Sequence, residues 1–114
     1  MFESVTTVAM DSALSALSLR QRTIANNIAN VNTPGFHAGR VAFEETLSKS
    51  VEAGSSEKTA ASTANSLEPT RLNGSNVNMD TETLSNIDTV LRYQFAARSI
   101  EGTFTSVRTA MRTN

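Results

Sequence analysis

Few side chains in this sequence could make or break bonds, and none is spaced to do so. His37 is the single histidine. It sits beside a turn with no second ligand at metal spacing, so it reads as a solvated or hydrogen-bonding residue. Glu44 and Glu45 are adjacent; on a helix their carboxylates point about 100° apart and cannot act as a shared acid–base pair. Arg92, Arg98, Arg108 and Arg112 read as a salt-bridging rim. Ten basic residues are balanced by eleven acidic ones, for a net charge of −1, which leaves no excess for nucleic acid. No Ser–His–Asp set, glycine-rich phosphate loop or metal-ligand spacing occurs. Cysteine is absent, which excludes disulfides and thiolate centres. No enzyme activity, cofactor, metal or small-molecule substrate is expected. The chemistry that remains is that of amides: Asn26, Asn27, Asn30 and Asn32 crowd into one short stretch, able to cap a helix end or to link neighbouring helices by hydrogen bonds.

The element that must carry these amides is a helix over residues 4–32. Met10, Leu14, Leu17, Ile24, Ile28 and Val31 recur in steps of four and three, with Gln21 in the one polar slot, which is the spacing of a coiled-coil seam. Ala9, Ala13, Ala16, Ala25 and Ala29 lie between them and let other helices approach closely. Thr33-Pro34-Gly35-Phe36 stops the helix, because Pro34 disfavours helical geometry at Thr33. Pro34 and Gly35 suit the centre of a type II turn that drops Phe36 back onto the helix end. A second helix is predicted over 80–112, with Asp80 or Thr81 as N-cap. In it Val90, Tyr93, Ala97, Ile100, Phe104, Val107 and Met111 repeat the same rhythm, and Leu84, Ile87 and Leu91 form an adjoining stripe. At 1.5 Å per residue the helices reach roughly 40 and 50 Å.

Between them the composition is thin. Phe43 to Leu47 reads as a helical turn, with Phe43 and Leu47 an apolar pair four apart. Residues 48–72 are rich in Ser, Thr, Ala, Glu and Lys, with Val51, Leu67 and Leu72 as the few anchors, and read as a flexible or locally extended connector able to form β pairing near Leu67 to Leu72. Residues 73–76 form a turn. The expected fold is therefore all-α: two long terminal helices in an antiparallel, coiled-coil-like hairpin, joined by a loop or extended connector. Its parts are residues 1–36, 37–79 and 80–114 of a single domain, as 114 residues allow. Apolar residues make up 39% of the sequence and gather at its ends. Faces so placed are expected to find partners on other copies or relatives, with the isolated protein weakly ordered until it assembles. The start Met1-Phe2-Glu3-Ser4 lacks the basic and apolar runs of a cleaved secretory leader, so none is expected.

The stretch Asn26-Asn27-Ile28-Ala29-Asn30-Val31-Asn32-Thr33-Pro34-Gly35-Phe36 closely resembles the N-terminal motif of the flagellar rod and hook axial proteins. Phe43-Glu44-Glu45-Thr46-Leu47 and Asn73-Gly74-Ser75-Asn76-Val77-Asn78-Met79-Asp80 resemble further pieces of the proximal rod proteins in that family. The resemblance implies a D0-type domain whose terminal helices nest in a tube of subunits, the drive shaft that transmits torque across the periplasm. It implies export by the flagellar type III apparatus, with Phe43 and Leu47 as a docking motif for the export gate. Partners so implied are other copies of the same protein, FliE, FlgC and other rod proteins, and the MS-ring protein FliF. The alternatives are a sister rod subunit or a soluble helical adaptor.

Overall fold

The computed structural model describes residues 5–55 and 57–112, apart from the side chains at 103, 104 and 107. The order of elements is α1 (Val5–Ala29), β1 (Gly39–Ala42), α2 (Glu44–Glu52), β2 (Ser62–Asn65) and α3 (Met79–Arg112). Asn27 meets Glu82 at one end of the long pair. Further along, Ala13 and Leu17 share a groove with Arg92 and Ala96. The two long helices are therefore antiparallel. The molecule is a rod-like body with extents of 66 × 26 × 14 Å.

Helix α1 is three residues shorter than expected at its C-terminal end. The Asn30 N–H is shared between Asn26 O at 3.2 Å and Asn27 O at 3.1 Å, and Val31 N donates to Ile28 O at 3.2 Å. These tighter bonds end the α-helical ladder before Val31 can extend the seam. The turn that follows is the expected one. Gly35 has φ of 74°, and Phe36 N donates to Thr33 O at 3.2 Å, the closing bond of a type II turn.

The fold is mostly helical but not all-α, because its middle third holds a small sheet. Strand β1 pairs antiparallel with β2, Gly39 opposite Asn65 and Ala42 opposite Ser62. Residues 39–65 thus make an out-and-back arm against α1, with α2 as its outer leg. Phe43 occupies the N-cap position of α2, and its carbonyl accepts Leu47 N at 2.8 Å. The expected helical turn is the first turn of this longer helix. Gly54, at φ 69°, ends it in the left-handed conformation that glycine tolerates best.

Of the two readings of residues 48–72, flexible or locally extended, the return leg takes the extended one at Ser62–Asn65. The return leg is pinned to α1 where Lys58 pairs with Asp11 at 2.6 Å and Thr59 N donates to Ser12 Oγ at 3.0 Å. The β pairing falls at 62–65 and not at 67–72. Every residue of β2 is exposed, so backbone pairing places this strand and apolar burial does not. Leu67 and Leu72 are fully exposed.

The apolar core is small. Ala16 and Leu17 of α1 pack with Val41 and Phe43 of the arm, and Ala13, Leu19, Leu47 and Ala61 surround them. Helix α3 adds little to this core. Its buried residues at steps of seven are Glu82, Thr89 and Ala96, a heptad line of polar and small side chains. The expected heptad line, Val90 and Ala97, lies one residue on and is half-buried with Ile100; the buried face is turned by about 100° from it. Thr89 can be buried because its hydroxyl donates to Ser85 O at 2.7 Å, within its own helix. Helix α3 begins at Met79, capped by Asn78 rather than by Asp80 or Thr81. Asn78 Oδ1 accepts Asp80 N at 3.0 Å and Thr81 N at 3.4 Å.

Candidate functional site

Two asparagines hold the ends of the long helices together. Asn27, fully buried at the last turn of α1, faces the start of β1. Its Oδ1 accepts Gly39 N at 2.9 Å, while its Nδ2 donates to Gly39 O at 3.0 Å and to Glu82 Oε2 at 3.1 Å. The amide thus acts as a one-residue strand partner and reaches α3 at the same time. The approach needs glycine: a Cβ on Gly39 would lie 2.9 Å from Thr23 Cγ2. Asn76 does the matching work from the other side of the arm. Its Oδ1 accepts Ala38 N at 2.7 Å, and its Nδ2 donates to Ser66 O at 3.1 Å and Glu68 O at 3.2 Å.

A charged line completes this clasp. Arg40 Nη1 donates to Glu82 Oε1 at 2.6 Å, and Arg40 Nη2 to Glu68 Oε2 at 2.9 Å. Glu82 has no exposed surface, whereas the Arg40 side chain keeps 34% of its own. Burial works against the Arg40 charge, but the carboxylates of Glu82 and Glu68 outweigh it and raise its pKa above the ordinary value. Arg71 Nη2 closes the clasp by donating to Val31 O, and the Asn73 carbonyl accepts Gly35 N at 2.8 Å. No buried side-chain nitrogen or oxygen among the described residues lacks a partner, so the network is fully satisfied.

A second charged contact fixes the arm further along α1. Arg20 Nη2 donates to Glu44 at 2.5 and 2.8 Å and to Val41 O at 2.7 Å, with its guanidinium 4.9 Å from the Phe43 ring centre. Burial raises the Glu44 pKa, but Arg20 and the backbone donors at the start of α2 lower it more, and the net shift is downward.

The sequence-derived residues fall into three groups. Leu17 and Ile24 are buried, with Met10, Leu14, Gln21, Ile28 and Val31 half-buried along the α1 line. In the turn, Asn27 is buried, Asn30 and Phe36 are half-buried, and Thr33, Pro34 and Gly35 are exposed. Asn30 Oδ1 accepts the Thr33 hydroxyl at 3.0 Å, so it braces the turn locally. On α3, Leu84, Ile87 and Leu91 are 69, 53 and 60% exposed, Tyr93 37% and Met111 70%, while Phe95, which the periodicity did not single out, is 74% exposed. Leu84, Ile87, Leu91 and Phe95 follow steps of three and four and form one outward apolar stripe. Phe104 and Val107 lie outside the described side chains. Phe43 is buried and Leu47 half-buried. His37 is exposed, and Arg92 pairs with Asp88 on its own helix at 2.9 Å.

Arg40, Glu68, Asn76 and Glu82 carry the clasp and were not legible as such. A glutamate in a first helical turn and an arginine in a short strand normally face water. The signals for Asn76 were the density of Asn, Gly and Ser between residues 73 and 78 and the family resemblance of that stretch. Among the described residues no cluster of His, Asp and Glu could hold a metal, and no helix is long and apolar enough to cross a membrane.

The sequence is similar to those of known proteins. The sequence profile of the family described as "Flagella basal body rod protein" matches residues 9–37, the span of α1 and the turn. The protein is similar to the flagellar basal body rod protein FlgB of Bacillus subtilis (strain 168), 26% identical over 90% of this sequence and 89% of the relative. Shorter matches join it to proteins of the same name from Borrelia hermsii, 53% identical over 33% of this sequence and 28% of the relative, and from Borreliella burgdorferi, 50% identical over 32% and 27%.

Proposed function

We infer that this protein is a structural subunit of the rod of the bacterial flagellar basal body, of the FlgB kind. One observation carries the inference beyond sequence similarity. The long helix α3 buries Glu82, Thr89 and Ala96 and turns Leu84, Ile87, Leu91 and Phe95 to solvent. A helix whose larger apolar side chains face away from its own molecule is built to be covered by another one. Burial on a neighbour stabilises an assembly by about 25 cal/mol per Å² of apolar surface. Repeated along a tube of subunits, such contacts give a shaft stiff enough to carry torque.

In this reading α1 and the clasp set the spacing of the long helices, and the outward stripe joins each subunit to the next. The neighbours are further copies of the protein and other rod proteins, with FliE, FlgC and the ring protein FliF as the partners the resemblance supplies. The similarity over nearly the whole length of a rod protein supports the proximal position. Phe43 and Leu47 serve the export gate while the protein is still unfolded, since Phe43 is buried once the arm has docked. Deleting the gene in its host is the direct test. Loss of motility and of assembled rods, restored by the intact gene, is expected; normal swimming in the deletion strain contradicts the assignment.

A further inference from the structure

We infer that Asn73–Gly74 is a spontaneous deamidation site that the folded protein keeps locked. It is the single Asn-Gly step in the sequence. Glycine has no side chain to hinder attack of its own amide nitrogen on the carboxamide carbon of the preceding asparagine. In that reaction the deprotonated Gly74 nitrogen bonds to Asn73 Cγ, the Cγ–Nδ2 bond breaks and ammonia leaves with the proton. The resulting five-membered imide then adds water at either carbonyl. One product is aspartate; the other is isoaspartate, whose backbone runs through Cβ and is one carbon longer. Water is the only co-reactant.

The fold ties up the attacking nitrogen and restrains the carboxamide that it must reach. Gly74 N–H donates to Arg71 O at 2.9 Å. Asn73 Oδ1 accepts Ser75 N at 3.0 Å, a bond that restrains rotation of the carboxamide. Asn73 O accepts Gly35 N at 2.8 Å. Gly74, at φ 82°, lies so close to the Pro34–Gly35 turn that a Cβ there would be 3.2 Å from Gly35 Cα. Ring closure therefore requires the clasp to open first. The isoaspartyl product, with its lengthened backbone, moves the carbonyl away from Gly35 N and leaves the clasp weaker than before.

The test compares the purified protein in native buffer and in urea, at the same near-neutral pH and temperature. Conversion at residue 73 is followed by peptide mapping and by isoaspartyl methyltransferase labelling. The native sample is expected to convert at least roughly ten-fold more slowly, the factor imposed by an opening free energy of about 1.4 kcal/mol. Equal rates in the two conditions overturn the lock. Asn73→Ser is expected to abolish isoaspartate from this peptide in urea; its persistence overturns the assignment to Asn73.

Discussion

Asn27 holds both polar backbone groups of Gly39, accepting from its nitrogen at 2.9 Å and donating to its carbonyl at 3.0 Å. The last turn of α1 thereby stands in for a strand and starts the β1–β2 arm in register. Asn27→Ala leaves Gly39 and Glu82 short of partners in a dry setting, and a loss of about 2–3 kcal/mol is expected. Urea unfolding measures it. Asn27→Asp also loses the two donors and places a second carboxylate beside Glu82, so at neutral pH it is expected to be at least as damaging as the alanine.

Arg40 and Glu82 form a pair that is costly to break from one side. Arg40→Met leaves the fully buried Glu82 carboxylate with Asn27 alone, and a loss of about 3 kcal/mol is expected. Glu82→Gln removes the charge and keeps an acceptor for one neighbour, so its cost is smaller. In the double variant the losses should fall well short of additive, because the uncompensated charge is gone. Additive losses in a double-mutant cycle rule the coupling out.

The outward stripe should matter to assembly and not to the subunit. Leu84 and Leu91 are mostly exposed in the single subunit, and changing each to Ser or Gln is expected to shift its stability by no more than about 0.5 kcal/mol. Rod assembly and swimming should be lost. Circular dichroism melts on the purified variant, set beside motility of the same strain, separate the two effects.

Phe43→Ala with Leu47→Ala is expected to reduce export of the protein and also to loosen the arm, since Phe43 lies in the small core with Ala16, Leu17 and Val41. A control at Val41, Val41→Ala, loosens the same core without touching the proposed docking pair. Secretion blocked in the first and normal in the second supports the export role. Equal secretion from both leaves Phe43 and Leu47 as core residues only.

The Arg20–Glu44 contact predicts acid sensitivity. The folded pKa of Glu44 is lowered, so its stabilising effect is present above the unfolded value, about 4.3, and is lost as pH falls through the lower folded value. The Glu44 side chain is 45% exposed, so the effect is small and weakened by salt. Unfolding curves for Arg20→Gln should show a shallower loss of stability than the wild type across that acid window, and identical slopes would contradict the assignment.

The two long helices and the Pro34–Gly35 stop were legible in the amino-acid order alone, because each rests on local chemistry. Apolar steps of three and four specify a helix, proline cannot continue one, and glycine supplies positive φ. The N-terminal motif also carried the family resemblance. Two matters were settled only when distant segments met. Strand β2 is polar and exposed throughout, so nothing in Ser62–Asn65 announces a strand until β1 offers its backbone groups. The inward face of α3 is set by Asn27 and Arg40 gripping Glu82, and that grip turns Thr89 and Ala96 inward in place of the greasier neighbours. Periodicity says that a helix has an apolar side; it cannot say whether that side is folded inward or left for another molecule, because the choice depends on which polar groups find partners across the fold.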